Sequence, residues 1–154
     1  MNDTLKNLLV REVKIEDAEA LSRIECAITK SPPKTDFFQI IEHQIREGDH
    51  VSFIAEVDGE VAGYMISSIV SGGFGEEKSA WIVMIGVSPR YMGQGIGKQL
   101  ADKIFRVFRE KGIKQVFTSV RWDSVDLLSF FKTLGFDRSD FINLRKELDL
   151  TADR

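Results

Sequence analysis

The sequence predicts an α/β domain in which short strands alternate with amphipathic helices. Three observations carry this. Apolar residues recur with period two in some runs and at steps of three and four in others. Asp58-Gly59, a strong hairpin signal, separates two strand-like runs. An apolar strand at 80–87 runs through a glycine cluster into an amphipathic helix. A chain of 154 residues fits a single domain over 1–154, able to bury about two-thirds of the surface its unfolded form exposes.

The elements follow in order. Leu8 to Lys14 alternates as a first strand, and Glu16, Asp17 and Glu19 place negative charge at the start of a helix with Ala20, Leu21, Ile24 and Ile28 inward. Ser31-Pro32-Pro33 ends it. A second helix turns Phe37, Phe38, Ile40, Ile41 and Ile45 to the core and stops at Gly48. Val51 to Val57 and Glu60 to Val70 form an antiparallel pair around Asp58-Gly59. Ser71-Gly72-Gly73-Phe74-Gly75 reads as a flexible loop, and Ala80 to Val87 as a strand buried on both faces. The next helix gathers Ile96, Leu100, Ile104, Val107 and Phe108 on one side and closes at Gly112. Ile113 to Val120 is a strand, Asp123 or Ser124 caps a helix through Leu134, and Phe141 to Leu148 is a last strand that pairs antiparallel.

Composition excludes several classes. Apolar content of 43% and net charge of −3 argue against disorder, a nucleic-acid-binding surface and an electrostatic membrane anchor. Met1-Asn2-Asp3-Thr4 lacks the layout of a signal peptide, and no apolar run approaches about 18 residues, so a cytoplasmic protein is expected. Cys26 is the single cysteine, which excludes an internal disulfide; with only His43 and His50 beside it, a Cys/His zinc cluster is excluded and metal-free chemistry is expected.

The most specific feature is Val87-Ser88-Pro89-Arg90-Tyr91-Met92-Gly93-Gln94-Gly95-Ile96-Gly97-Lys98. Alternating glycines let backbone N–H groups converge, and the following helix adds the positive end of its dipole, which makes a cradle for phosphate. Two familiar loops fail on spacing. Gly93 and Gly97 are four apart where a P-loop needs five, and Lys98 is followed by Gln99 rather than Ser or Thr; the dinucleotide fingerprint needs one more residue before its third glycine.

The segment instead resembles the acetyl-coenzyme A loop of the GNAT superfamily of N-acetyltransferases, whose pattern is Arg or Gln, two residues, Gly, one residue, then Gly or Ala. Met92-Gly93-Gln94-Gly95-Ile96-Gly97 matches at the glycines. Met92 reads as a departure at the leading position, with Arg90 or Lys98 to supply the charge. The likeness runs from about Leu9 to Leu148, through Ile85-Gly86-Val87-Ser88-Pro89 and Phe130-Phe131-Lys132-Thr133-Leu134-Gly135-Phe136. It implies a mixed central sheet with helices on both faces, splayed between the fourth and fifth strands to receive the pantetheine arm. It also implies acetyl-CoA as cosubstrate, with no metal, held by Ile85, Gly86, Val87, Met92, Gly93, Gln94, Gly95, Ile96, Gly97, Lys98, Ser124 and Phe131.

In such a reaction an amine attacks the thioester directly in a ternary complex, and Gly86, read as a bulge, offers a backbone N–H to the oxyanion. The family's carboxylate on the fourth strand is missing, and Phe131 stands where its tyrosine acid is usual; a coenzyme A thiolate leaves without help. Asp123, at the carboxyl edge of the sheet, is the candidate base, with a helix N-cap as its structural alternative. Glu76 and Glu77 could act through a water, Glu25, Cys26 and Asp36 surround the helix-helix connection that shapes the acceptor site, and His43 reads as a surface residue. The acceptor is a primary amine on a small molecule or peptide. Nucleic acid and membrane are excluded as partners, and a homodimer is compatible. A non-catalytic acyl-CoA-binding module and a protein lysine or N-terminal acetyltransferase are the alternatives.

Overall fold

The computed structural model describes residues 7–73 and 75–151. Met1 to Thr4 and Phe74 of the predicted loop lie outside the described residues. The described chain falls into two compact units, one ending at Thr118 and the other beginning at Ser119.

The first unit is built on a five-stranded sheet in the order β1-β2-β3-β4-β5: β1 (Leu8–Glu12), β2 (Phe53–Val57), β3 (Glu60–Ser71), β4 (Lys78–Val87) and β5 (Val116–Thr118). β1 to β4 are antiparallel neighbours and β5 adds parallel to β4. Asp58 and Gly59 both hold positive φ, 52° and 81°, which matches the right-handed twist of the strands they join.

Alternation along β3 assigns the helices to opposite faces. Tyr64 and Ile66 pack with Ile54, Val13, and with Leu21 and Ile24 of α1 (Ala18–Thr29) and Phe37 and Ile41 of α2 (Phe37–Glu47). Gly63 points the other way, where a Cβ would come within 2.8 Å of Ile96 Cγ2 at the start of α3 (Ile96–Glu110). Only a residue without a side chain admits the helix start so close to β3. Ile96, Leu100, Ile104 and Phe108 are all buried at steps of four, so α3 seals that face. The predicted inward set of the first two helices is too wide: Ile28, Phe38 and Ile45 are exposed, because one sheet face accommodates only the stripe centred on Leu21, Ile24, Phe37 and Ile41.

A polar network anchors α2 to the sheet where β2 stops. Gln44 Nε2 donates to the Ser67 carbonyl at 2.6 Å, Ser52 Oγ donates to Gln44 Oε1 at 2.6 Å, and the Ser67 N–H donates to Ser52 Oγ at 3.1 Å. Side chains thus take the place of the missing strand partner, and the buried hydroxyls of Ser52 and Ser67 are satisfied. On the β1 side Arg11 bonds both Asp17 oxygens at 2.8 Å and also Glu56, tying β1, β2 and the turn Ile15–Asp17 together.

The second unit holds α4 (Val125–Thr133), followed over 134–151 by a segment with neither helix nor strand. Residues 141–148 form no strand, contrary to the sequence expectation, and Ile142, Leu144 and Leu148 are exposed. An alternating pattern describes the faces of a strand, but a strand exists only where a neighbour receives its backbone groups. Among the described residues this unit has no other strand to offer.

Candidate functional site

β4 carries the site because its two edges differ along its length. Pairing with β5 comprises Ala80 with Val116, Trp81 with Phe117 and Ile82 with Thr118, and there it ends. Trp81 stacks on Phe117 with centroids 5.3 Å apart, and Thr118 Oγ1 donates to the Ile82 carbonyl at 2.9 Å, closing the ladder with a side chain. β4 continues to Val87, bonded among the described residues only to β3. Alternate main-chain groups of residues 83–87 therefore point away from β3 with no strand to receive them. This also corrects the expectation of a strand buried on both faces: Val83 is 56% exposed, because β5 does not extend to cover it.

The bulge lies at Val83, not Gly86. Ile66 pairs with Met84 and Ser67 with Ile82, so Val83 is the extra residue, whereas Gly86 pairs regularly with Tyr64. Gly86 serves a different purpose. A Cβ there would lie 2.5 to 2.7 Å from Cε1, Cζ and the hydroxyl oxygen of Tyr64. Its lack of a side chain lets the tyrosine lie across the strand, with Phe37 edge-on at 5.4 Å. Burial pushes the Tyr64 hydroxyl up to about 12, and the nearby Glu25 charge adds to it.

Beyond β4 the chain makes a single turn over Pro89–Tyr91 and enters the glycine loop. Gly93 and Gly95 have φ of 77° and 83°, and Gly95 is the N-cap of α3. The first backbone bond back into the helix is from Gln99 to the Gly95 carbonyl, at 3.1 Å; among the described residues the N–H groups of 93–98 have no partner. Set at the positive end of a 15-residue helix, these unpartnered donors suit an anionic group such as phosphate. Arg90 pairs with Glu60 at 3.2 Å and Lys98 with Asp102 at 3.0 Å, both on the exposed rim of the loop.

The remaining candidates are dispersed. In the second unit Asp123 is exposed and bonded by Arg121 at 3.0 and 2.9 Å, which holds its carboxyl below the ordinary carboxylate range. Ser124 rather than Asp123 is the N-cap of α4, and its side chain makes no cap bond. Phe131 is buried, with Phe130 and Phe136 edge-on at 5.2 Å each. In the first unit Glu25 accepts from Thr35 Oγ1 at 2.7 Å, Cys26 is half-buried, and Asp36 caps α2 by accepting from the Gln39 N–H at 3.0 Å. Glu76 is partly exposed, and Glu77 and His43 are exposed. Among the described residues no cluster of His, Cys, Asp or Glu could hold a metal ion, and no helix is long and apolar enough to cross a membrane. Tyr64 was missed by sequence reasoning; its only signal was a glycine in the facing strand.

The sequence profile of the acetyltransferase (GNAT) family matches residues 18–136. The chain belongs to the GNAT family. It is 28% identical over 140 residues to an N-alpha-acetyltransferase of Sulfurisphaera tokodaii, covering 85% of this chain and 81% of that protein. It is 31% identical over 91 residues to a mycothiol acetyltransferase of Amycolatopsis mediterranei, a match covering 57% of this chain and 30% of that protein. Among solved structures it is similar to Ard1 from Thermoplasma volcanium, with TM-score 0.71 and 26% identity over 84% of this chain and 82% of that one. An aminoglycoside N-acetyltransferase solved in complex with CoA shares the fold, with TM-score 0.77 and 19% identity over 92% and 95% of the two chains.

Proposed function

We propose that this GNAT protein transfers the acetyl group of acetyl-CoA to a primary amine by direct attack in a ternary complex. The observation that supports this most is the end of β4–β5 pairing at Ile82 and Thr118, with β4 running on to the glycine loop. In this reading the loop donors at 93–98 hold the cofactor, and the open backbone of 83–87 aligns the thioester arm. A main-chain N–H there stabilises the developing oxyanion, and the nitrogen–carbon bond forms as the carbon–sulfur bond breaks. Acetyl-CoA supplies the activated acetyl group. Asp123 is the proposed proton acceptor, kept ionised by Arg121. Asp123→Asn is expected to lower kcat by about 100-fold or more, as loss of a general base does, and a loss under about threefold removes it from that role.

A peptide α-amine is the acceptor favoured by the likeness to the N-alpha-acetyltransferase and to Ard1. Release of free thiol from acetyl-CoA would be followed with hexapeptides bearing a free amino terminus, the same peptides amino-blocked but carrying lysine, spermidine, and an aminoglycoside. Turnover with the free-terminus peptides is expected. Tight coenzyme A binding by calorimetry with no turnover on any amine would leave a non-catalytic acyl-CoA-binding module.

A further inference from the structure

The second unit exposes an alternating apolar stripe. Ile142, Leu144, Leu148 and Leu150 are 83%, 84%, 73% and 85% exposed, with Lys146 at the middle of the row. The residues between them are Asn143, Arg145, Glu147 and Asp149. Arg145 and Glu147 approach to 3.8 Å, as side chains two apart on one side of a strand-like segment do, and both side chains are 84% exposed. Asp149 accepts from the Thr151 N–H at 3.0 Å and from its hydroxyl at 2.6 Å, a turn that closes the segment. Among the described residues the segment has no strand partner.

A second copy of the segment matches it on both sides. Residues directly opposite one another in an antiparallel pair point the same way, so a two-fold pairing centred on Lys146 sets Leu144 against Leu148 and Ile142 against Leu150 on one side. On the other side Arg145 of each copy faces Glu147 of the other, and Asn143 faces Asp149. Neighbouring registers lose this match. Centring on Arg145 or on Glu147 puts like charges face to face and Lys146 against a leucine, and a shift by one residue sets Leu144 against Glu147 or Asp149. A parallel pair in register sets Arg145 on Arg145. In the matched register Lys146 meets its own copy at the axis, where its long stem lets the ammonium group reach solvent.

We propose that residues 142–150 are a dimerisation strand: two copies of this chain pair antiparallel about Lys146 into a two-fold ribbon. The same patch serves both copies, so the contact closes at two. A two-stranded ribbon is marginal by itself, and Trp122 and Val125, exposed in the same unit, offer further apolar area to cover. Association is therefore reversible and concentration-dependent rather than permanent. Assembly of this kind is independent of the acetyl-transfer chemistry.

Analytical ultracentrifugation of the full chain tests this. As concentration rises from about 10 to about 500 µM, the mass is expected to move from 17.5 kDa toward twice that value. Arg145→Glu and Glu147→Arg each turn both cross-copy ion pairs into like-charge pairs, so each is expected to raise the dimer Kd by about 10-fold or more. The double variant, Arg145→Glu with Glu147→Arg, restores the match and should return Kd to within about threefold of the parent. An equimolar mixture of the two single variants should form a mixed dimer, because each then faces its opposite charge. Leu144→Asp should leave the chain monomeric. All three positions are exposed in the single chain, so Tm measured at low concentration stays at the parent value. A parent that keeps a mass of 17.5 kDa up to about 500 µM overturns the ribbon. So does a dimer that survives Leu144→Asp or either charge reversal, since its interface then lies elsewhere, and so does a double variant that fails to recover.

Discussion

Gly86→Ala isolates the packing of Tyr64 against β4. The added methyl would sit 2.5 Å from Tyr64 Cε1 and 2.6 Å from Cζ, well inside van der Waals contact. The tyrosine has nowhere to retreat, since its ring is 3% exposed and meets Phe37 edge-on at 5.4 Å under α1 and α2. Overpacking of this kind costs about 1–3 kcal/mol. For a chain of this length each kcal/mol shifts Tm by about 2–4 °C, so a fall of about 2–12 °C is expected by differential scanning calorimetry. The double variant Gly86→Ala with Tyr64→Leu supplies the internal control. If the clash is with Tyr64, the two changes couple, and the double variant is more stable than the sum of the singles by about 0.5 kcal/mol or more. A Gly86→Ala protein with the parent Tm, or strict additivity in the cycle, would refute the steric account.

Three further expectations follow from other parts of the molecule. Gly95→Asp puts a β-carbon at φ 83° and a negative charge at the N-terminus of α3, so calorimetry should detect no coenzyme A binding; parent affinity would rule out the glycine loop as the phosphate site. Asp17 is opposed by burial, but the Arg11 hydrogen bonds prevail and lower its carboxyl. The stability it contributes is complete above the unfolded carboxylate value of about 3.9 and is lost as pH falls through the lower folded value, so the Tm gap between parent and Asp17→Asn should be present at pH 7 and close below about pH 4. Ser52→Ala leaves Gln44 Oε1 and the Ser67 N–H short of a partner and should destabilise by about 1–3 kcal/mol in urea melts, whereas Thr133→Ala, at an exposed hydroxyl, should change little.

The parts of the fold legible in the sequence are those fixed by local chemistry. Asp58-Gly59 specifies a turn whatever surrounds it, the spacing of Ile96, Leu100 and Ile104 specifies a helix face, and glycines at 93 and 95 permit a backbone that other residues resist. What escaped notice depends on neighbours. The end of β5 at Thr118 is set by a side-chain hydroxyl reaching the Ile82 carbonyl, which no alternation encodes. The bulge at Val83 comes from a register between β3 and β4, and a bulge at Gly86 was a reasonable inference from composition that the facing Tyr64 explains otherwise. The tail at 141–148 has the pattern of a strand without a ladder.

Hydrogen exchange would see β4 as two strands in one. At Ala80, whose N–H donates to the Gln115 carbonyl at 3.1 Å, an amide is shielded by a neighbour on each side and opens only when the sheet itself yields. A few residues on, past Val83, the outward amides have the standing of an edge and exchange through local fraying. The transition falls within one or two residues, at the Thr118 hydroxyl. The rate profile along β4 should therefore step rather than slope, and a ligand lying along the outer half would erase the step without touching the first three pairs.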